Sequence, residues 1–227
     1  MRSIETKKLL VVVAHPDDEV LGCGGTIRRM ANKGADIIVL ILGEGLKSRG
    51  QVENGAIKKL RTESMKAAEI LGAKIIIFES FPDNEFDSVP ILRIIQKIEK
   101  IIKKYKPDMV LTHSNTDLNI DHKITHEAVK VACRPMPNNG IKQLLCFEVP
   151  SSTEWGFESS NNFTPNFFVN IEDTLKTKMH AMSAYKGEIR KFPHPRSLKY
   201  MEALAKIRGG QSGFEAAEGF QLILSKT

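Results

Sequence analysis

Four short apolar runs in the first half of the chain constrain its fold more than any other feature. The runs are LLVVVA at 9–14, DIIVLIL at 36–42, KIIIFE at 74–79 and DMVLTH at 108–113. Each is continuous and rich in Val and Ile, as is typical of strands buried on both faces of a parallel sheet. Helix-like segments separate the runs, so the sequence predicts an α/β fold with a doubly wound, mostly parallel, Rossmann-like sheet.

The rest of the chain completes the predicted architecture. Apolar residues recur at i, i+3, i+4 and i+7 from Ile91 to Tyr105, which predicts one helix with a single apolar stripe. Beyond residue 145, strand-like runs precede two predicted helices, at about 172–190 and about 197–208. We expect this last third to form an appended layer over the carboxyl ends of the strands. The length predicts a single domain, 1–227.

Composition narrows the class of protein and its partners. Hydrophobic residues make up 41% of the chain and charged residues 26%, as in ordinary soluble proteins. The N-terminal apolar run is too short for a signal peptide or a membrane span, which predicts a cytoplasmic protein. The formal charge of +6 arises mostly from lysines on helix-like stretches, and no nucleic-acid-binding motif accompanies them. The three cysteines, Cys23, Cys133 and Cys146, are expected to be free and buried.

Unusual polar residues follow each of the four predicted strands. They are HPDDE at 15–19, GEG at 43–45, PDNE at 82–85, and His113 with the segment 117–122. Binding sites in doubly wound sheets form beyond the carboxyl ends of the strands. We therefore predict a functional site where these clusters meet.

The first cluster predicts a metal site. His15 and Asp18, with His122 far along the chain, provide two imidazoles and a carboxylate, one of the usual catalytic zinc sets. Adjacent acids are costly to bury unless a positive charge lies among them, and a cation would make this cluster tolerable. Asp17 is then placed to take a proton from water, and Asp121 to orient a neighbouring imidazole or amide.

Two other interpretations of these residues remain open. Asp is common at helix N-termini, so His15 and Asp17 would cap the following helix, and His122 would merely begin another. Alternatively, the glycines of GCGGT would bind a dinucleotide. Their spacing is G-x-G-G, however, and acids precede them where a pyrophosphate needs positive potential. The glycines more simply allow the helix to approach the sheet closely.

The motifs also resemble a known family. AHPDDE after the first strand and Asp-His after the fourth are similar to the LmbE-like (PIG-L) zinc-dependent N-deacetylases, which remove acetyl groups from N-acetylglucosamine conjugates and related amino sugars. The similarity continues, in the family's order, through LGCGGTI, LRTESMKAAEILG, YKPDMVLTH, DLNIDH, PSSTEW, FPHPRS and RGGQSGFEAAEGF. The resemblance implies hydrolysis of an N-acetyl group with one Zn²⁺ or another divalent metal per chain, a small amino-sugar substrate, and assembly into trimers or hexamers.

The resemblance also implies roles for individual residues. His15, Asp18 and His122 match the zinc ligands of the family, and Asp17 matches its general base. The predicted catalytic set is completed by Asp121 and by His194, a histidine held between two prolines.

Substrate contacts are predicted at Glu44, Arg61, His113, Asn119 and Arg196. Arg61 falls near a family arginine that contacts substrate, although its spacing to the following glutamate is one residue shorter than usual. Asn119 stands where many members have a histidine, in an H-x-D-H run, that stabilises the tetrahedral oxyanion. We expect His194 to take this role, because a charged donor stabilises an oxyanion more than a neutral one, with the Asn119 amide as the alternative.

Two rival functions differ in their chemistry. A sugar or nucleotide transferase would use Asp17 and Asp18 with a divalent metal on a diphosphate, but such sites prefer magnesium or manganese with oxygen ligands. A non-catalytic carbohydrate-binding relative would have kept the fold and lost the reaction. The departure at Asn119 keeps this second alternative open.

Overall fold

The computed structural model describes residues 6–46, 54–137, 139–157 and 162–226, and seven strands in this part of the chain form one sheet. The strands are β1 (Lys8–Val13), β2 (Asp36–Gly43), β3 (Ile75–Phe81), β4 (Met109–His113), β5 (Gln143–Phe147), β6 (Phe167–Asn170) and β7 (Ala217–Ser225). The α-helices are α1 (Asp18–Asn32), α2 (Ala56–Leu71), α3 (Ile91–Tyr105), α4 (Ile120–Ala132), α5 (Leu175–Met182) and α6 (Leu198–Gly210).

The strand order confirms the predicted mostly parallel α/β sheet. The order is β3-β2-β1-β4-β5-β7-β6, in which the first five strands are parallel and β7 runs antiparallel to both of its neighbours. From β1 the chain continues to β2 and β3 on one side, and later returns to β4 on the other side. This reversal makes the gap beyond β1 and β4 a topological switch point, where open α/β sheets bind ligands.

Side chains on both faces of the central strands are buried, which explains the continuous apolar runs. On one face, Leu9, Val11 and Val13 pack in a core with residues of α1, α2, α5 and α6. On the other face, Leu10 and Val12 pack in a core with residues of α3 and α4. The predicted apolar stripe of α3 is buried through Ile94, Ile95, Ile98 and Ile101. The sheet is therefore doubly wound, as predicted.

The C-terminal third departs from the sequence prediction in two ways. β7 was not predicted, and it extends the main sheet by pairing with β5 and β6. The helix predicted at about 172–190 is shorter, since α5 ends at Met182 and the following turns carry Tyr185 and Glu188 into the interior. Two loops of this third reach the carboxyl ends of the strands, through Ser151 and Arg196. A single domain over 1–227 stays a prediction.

The glycine-rich stretch lies inside α1, where the helix is kinked at Cys23. A β carbon on Gly22 would lie 2.2 Å from the ring of Phe147 on β5. One on Gly25 would lie 2.8 Å from the side chain of Ile171, just after β6. The structure thus confirms that glycines let this helix approach the sheet closely.

A buried carboxylate binds the N–H groups that follow the kink. Gly25 N and Thr26 N donate hydrogen bonds to Glu218 of β7, at 2.9 and 2.7 Å. Lys178 Nζ of α5 lies 2.6 Å from the same carboxylate and donates to Leu21 O. Because Glu218 already accepts from these N–H groups, they are not available to a pyrophosphate, which argues against the dinucleotide interpretation.

Two other sequence predictions concern cysteines and membranes. Cys23, Cys133 and Cys146 are free and buried, as predicted. Across the described ranges, no helix combines the length and the apolar character that crossing a bilayer requires.

The Glu218–Lys178 pair gives a prediction about stability. We expect Glu218→Gln to lower the free energy of unfolding by about 3–5 kcal/mol, because Lys178 is left buried without its counter-charge. Urea denaturation measures the change. The control is Glu215→Gln, an exposed position in the same segment, where the change should stay within about 0.5 kcal/mol. Equal unfolding midpoints for the two variants would contradict the prediction.

Candidate active site

The polar clusters that follow the first four strands meet in one cavity at the switch point. Its volume is about 120 Å³. The lining residues come from the ends of β1 to β4 and from two C-terminal loops: His15, Pro16, Asp17, Gly45, Asp83, Asn84, Asn119, His122, Ser151, Ser152 and Arg196. The topology therefore brings together residues as far apart in the sequence as His15 and Arg196.

The turn from β1 into α1 separates the consecutive acids. Asp17 adopts a φ of +95°, a left-handed conformation that is costly for a residue with a side chain. Its carbonyl accepts the first helical hydrogen bonds, from Val20 N and Leu21 N. One residue further on, the Oδ2 atom of Asp18 accepts from His15 N at 2.8 Å. Asp17 consequently lines the cavity, whereas Asp18 is fully buried beside it.

His15, Asp18 and His122 present ligand atoms that all lie within 4.8 Å of one another. The Oδ2 atom of Asp18 is 3.7 Å from His15 Nδ1 and 3.3 Å from His122 Nε2. Its Oδ1 atom is buried and accepts no hydrogen bond from the described residues. Two imidazole nitrogens and a carboxylate with an unused oxygen form a donor set that fits a divalent metal ion.

Each of the two histidines in this set also contacts a carboxylate through its other ring nitrogen. His15 Nε2 lies 2.9 Å from Asp121 Oδ2 and 3.2 Å from Asp83 Oδ1. His122 Nδ1 lies 3.1 Å from Asp117 Oδ2. Such carboxylates fix the orientation and tautomer of metal-ligating imidazoles. Asp121 lies where the sequence predicts an orienting group, while Asp83 and Asp117 were recognised only as members of the polar clusters.

Asp117 is itself held by several hydrogen bonds. It accepts from the hydroxyls of Ser152 and Thr153, and from Asn119 N at 2.9 Å. Burial alone would raise the pKa of Asp117, but His122 and the two hydroxyls outweigh it and lower the pKa to about 2. Asp117 is therefore a fixed negative charge beside His122.

The carboxylates make the surroundings of His122 strongly negative. Burial alone would lower the pKa of His122, yet Asp18 and Asp117 raise it to about 10. A divalent metal ion would compete with the proton for this negative potential, because a ligating imidazole must be deprotonated. The electrostatics of the site thus agree with the donor set in favouring a cation.

His113 lies behind His122 and does not line the cavity. The two rings are stacked with their centroids 3.9 Å apart, and His113 Nε2 accepts from Ala14 N at 2.9 Å. Burial, and then the positive charge of His122, lower the pKa of His113 to about 3, so this ring is neutral. His113, which the sequence predicts as a substrate contact, therefore packs against the candidate metal ligand His122 and does not face the cavity.

Arg196 faces Asp17 in the cavity. Its Nη1 atom lies 3.0 Å from Asp17 Oδ2 and 2.7 Å from Glu188 Oε2, and its Nε donates to Ser151 Oγ at 2.8 Å. Burial raises the pKa of Asp17 well above its usual range, and Arg196 opposes this effect. Arg196, a predicted substrate contact, lines the cavity, and its guanidinium binds Asp17, Glu188 and Ser151 of the protein itself.

Asn119 is the N-cap of α4, the helix that carries His122. Its Oδ1 atom accepts from Asp121 N at 2.8 Å and from His122 N at 3.4 Å. Its Nδ2 atom donates to Asn84 Oδ1 at 2.8 Å. Asn119 stands where many members of the family that the motifs resemble have a histidine, and it places a capping amide in the lining of the cavity.

Two predicted substrate contacts, Glu44 and Arg61, do not line the cavity. Glu44 is half-buried directly after β2, next to Gly45, which does line the cavity. Arg61 on α2 donates to Ser80 Oγ at 3.2 Å, and its guanidinium lies 5.2 Å from the ring centroid of Phe78.

His194, the predicted oxyanion donor, also lies outside the lining of this cavity. Its ring packs edge-on against Trp155 with the centroids 6.2 Å apart, and its Nδ1 accepts from Arg196 N at 3.1 Å. Burial, followed by the charges of Arg196 and Arg190, lowers the pKa of His194. Its role in catalysis stays a prediction.

Comparison with known proteins identifies the family. Residues 10–133 match the family described as PIG-L: GlcNAc-PI de-N-acetylase. Diacetylchitobiose deacetylase from Thermococcus kodakarensis is 30% identical over 231 residues, which cover 96% of this chain and 84% of the relative. The 4-oxalmesaconate hydratase of Pseudomonas putida is 32% identical over 202 residues, which cover 80% of this chain and 74% of that protein.

A solved structure shares the fold. N,N'-diacetylchitobiose deacetylase from Pyrococcus horikoshii superposes with a TM-score of 0.79 at 21% identity, over 97% of this chain and 85% of that one. The match over residues 10–133 and the identity along nearly the whole chain lead to one conclusion: the chain belongs to the PIG-L (LmbE-like) family.

Proposed function

We propose that this chain is a zinc-dependent hydrolase that removes the N-acetyl group from an amino sugar or an amino-sugar conjugate. The observation that carries the proposal is the cavity in which Asp17 lies beside the donor set of His15, Asp18 and His122. The name of the Thermococcus relative, a diacetylchitobiose deacetylase, supports the reaction and the substrate class.

His15, Asp18 and His122 would hold the metal ion. We propose Zn²⁺, because two imidazoles with one carboxylate suit zinc, whereas magnesium prefers oxygen ligands. When bound, zinc supplies a Lewis acid that polarises a carbonyl oxygen and lowers the pKa of its water to about 7. Asp121 and Asp117 keep the two imidazoles oriented through their second nitrogens.

Asp17 acts as the general base and then as the general acid. It takes the proton from the attacking water and delivers it to the departing amine, which needs a carboxylate within hydrogen-bond reach of both. Its left-handed backbone holds it at the cavity, next in sequence to Asp18. Arg196 forms an ion pair with the Asp17 carboxylate, and Glu188 and Ser151 hold Arg196 in turn.

A hydrogen-bond donor must also stabilise the negative oxygen that develops on the amide carbon. We propose the Asn119 amide for this role in place of His194. Asn119 lines the cavity, and within the described residues only one of its two Nδ2 hydrogens has a partner, Asn84. His194 instead packs against Trp155.

A hydratase is the second candidate function, because the Pseudomonas relative is named as one. Both reactions need an activated water, so the metal ligands and Asp17 do not distinguish them. The products do, since only a deacetylase releases acetate. Assembly into trimers or hexamers and a cytoplasmic location stay predictions.

The proposed activity predicts release of acetate from N-acetylated sugars. Purified zinc-loaded protein is incubated with N-acetyl amino sugars, their disaccharides and nucleotide sugars, and acetate is measured. We expect Asp17→Asn to retain one zinc per chain, by elemental analysis, and to lower kcat by roughly 10²- to 10⁴-fold. Asp87→Asn, an exposed position, is the control. Absence of acetate with every substrate would refute the deacetylase proposal, and near-normal turnover would remove Asp17 from its role.

The orienting role of Asp117 gives a prediction about the metal alone. Asp117→Asn should weaken zinc affinity roughly 10- to 100-fold, because His122 loses the negative charge that aligns its ring. Competition with a chromogenic chelator measures the affinity without any substrate. His122→Ala should abolish tight binding, and Asp87→Asn should leave it unchanged. An Asp117→Asn protein that binds zinc as tightly as the wild type would contradict this arrangement.

The choice between Asn119 and His194 is tested by a pair of variants. Asn119→Ser keeps a good N-cap but removes the amide, so zinc should be retained while kcat falls roughly 100-fold. His194→Ala should stay within about twofold of the wild type. The opposite pattern, with zinc retained in both variants, would return the role to His194.

A further inference from the structure

A second cavity, of about 300 Å³, lies next to the catalytic one. Its apolar lining includes Leu118, Trp155 and Phe157, and its polar lining includes Asn115 and Lys123. The mechanism above uses none of these five residues. The cavity is therefore a part of this surface for which the proposed reaction does not yet account.

The two cavities are built from the same segments of the chain. Asn119 lines the catalytic cavity, and its neighbour Leu118 lines the second. In the same way, His122 faces the first cavity and Lys123 the second. The loop 151–157 contributes to both, since Ser151 and Ser152 line the catalytic cavity and Trp155, Gly156 and Phe157 line the second.

Specific contacts hold the walls of the second cavity together. A β carbon at Gly156 would lie 2.4 Å from Thr116 O, so the two loops approach more closely than a side chain there would allow. The Asp117 carboxylate accepts from the hydroxyls of Ser152 and Thr153 and so ties one loop to the other. Because Asp117 also contacts a proposed zinc ligand, the second cavity is positioned relative to the metal site.

The side chains that line the second cavity suit a sugar ring. Trp155, Leu118 and Phe157 are 36%, 55% and 86% exposed. An exposed indole offers a flat apolar surface, while Asn115 and Lys123 place polar groups at its border. The His194 ring packs edge-on against the indole, at 81°. No carboxylate of the described residues forms an ion pair with Lys123, whose ammonium is left to bind hydroxyls.

We propose that this cavity is a subsite for the sugar ring adjacent to the acetylated ring of an amino-sugar oligosaccharide, with that ring stacked on Trp155. The proposal rests on the proposed function, since the acetylated ring must occupy the catalytic cavity. It adds a specificity element: a disaccharide contacts both cavities, whereas a monosaccharide contacts only the first.

Trp155 reports on its own site, because it is the only tryptophan in the 227-residue chain. Zinc-loaded Asp17→Asn protein, in which turnover is suppressed, is titrated with N,N'-diacetylchitobiose and separately with N-acetylglucosamine. Indole fluorescence reports contact, and calorimetry gives both affinities. We expect the disaccharide to change the fluorescence and to bind at least roughly tenfold more tightly than the monosaccharide. This readout does not depend on whether acetate is released.

Variants separate stacking from a general effect on the fold. Trp155→Ala should reduce disaccharide affinity roughly tenfold and leave monosaccharide affinity unchanged, while Trp155→Phe should retain most of the preference. Leu118→Ala should reduce the preference in part. The matched control is Leu92→Ala on α3, which removes a leucine of similar exposure, 59%, that lines neither cavity.

Three outcomes would overturn the subsite. One is disaccharide binding without a fluorescence change. Another is an equal loss of affinity for both sugars in Trp155→Ala. The third is a change of sedimentation mass in Trp155→Ala with an unchanged sugar preference, which would identify this face as a contact between copies of the chain. Acetate release that fails while the disaccharide preference holds would refute the proposed reaction and leave the subsite standing.

Discussion

The buried Asp18 carboxylate is the charge on which the rest of the site depends. It is fully buried, and it lies between imidazoles from β4 and α4 and the imidazole of His15. A carboxylate desolvated to this extent is stable only with positive or hydrogen-bonding partners on most sides. Those partners are His15 N, directly after β1, and the His122 imidazole on α4, which follows β4, so the sheet has to bring the ends of β1 and β4 together before the site exists.

The run of three acids is tolerated because each one has a different partner. Asp17 pairs with Arg196, which the C-terminal loop supplies. Asp18 lies among the histidines, and Glu19 accepts from the Tyr185 hydroxyl at 2.5 Å. Burial raises the pKa of Glu19 to about 7, which the Tyr185 bond opposes. Asp18 keeps one buried oxygen that accepts no hydrogen bond from the described residues, while the flanking acids attach this turn to the C-terminal third.

What the sequence predicted follows from local patterns. Buried parallel strands leave continuous apolar runs, so the first four strands of the fold were recognisable. The rule that sites form at strand ends then located His15, Asp18 and His122 together. Two of the supporting groups left no comparable signal: Asp83 and Asp117 differ from ordinary loop acids only in the imidazoles they face, and that pairing depends on distances between strands. β7 was not predicted, because its pairing with β5 and β6 joins segments that are distant in the sequence and leaves no local pattern.

The C-terminal third is therefore part of the site and of the core at once. Glu218 on β7 binds the N–H groups at the kink of α1, and Lys178 neutralises it. The first half of that helix carries Asp18, so the position of the candidate metal ligands relative to the sheet depends on β7, a strand far along the chain. The same third supplies Arg196 to the proposed base and Trp155 to the neighbouring cavity. The later loops thus place Arg196 and Trp155 in the walls of the two cavities, while the candidate metal ligands all lie between the end of β1 and α4.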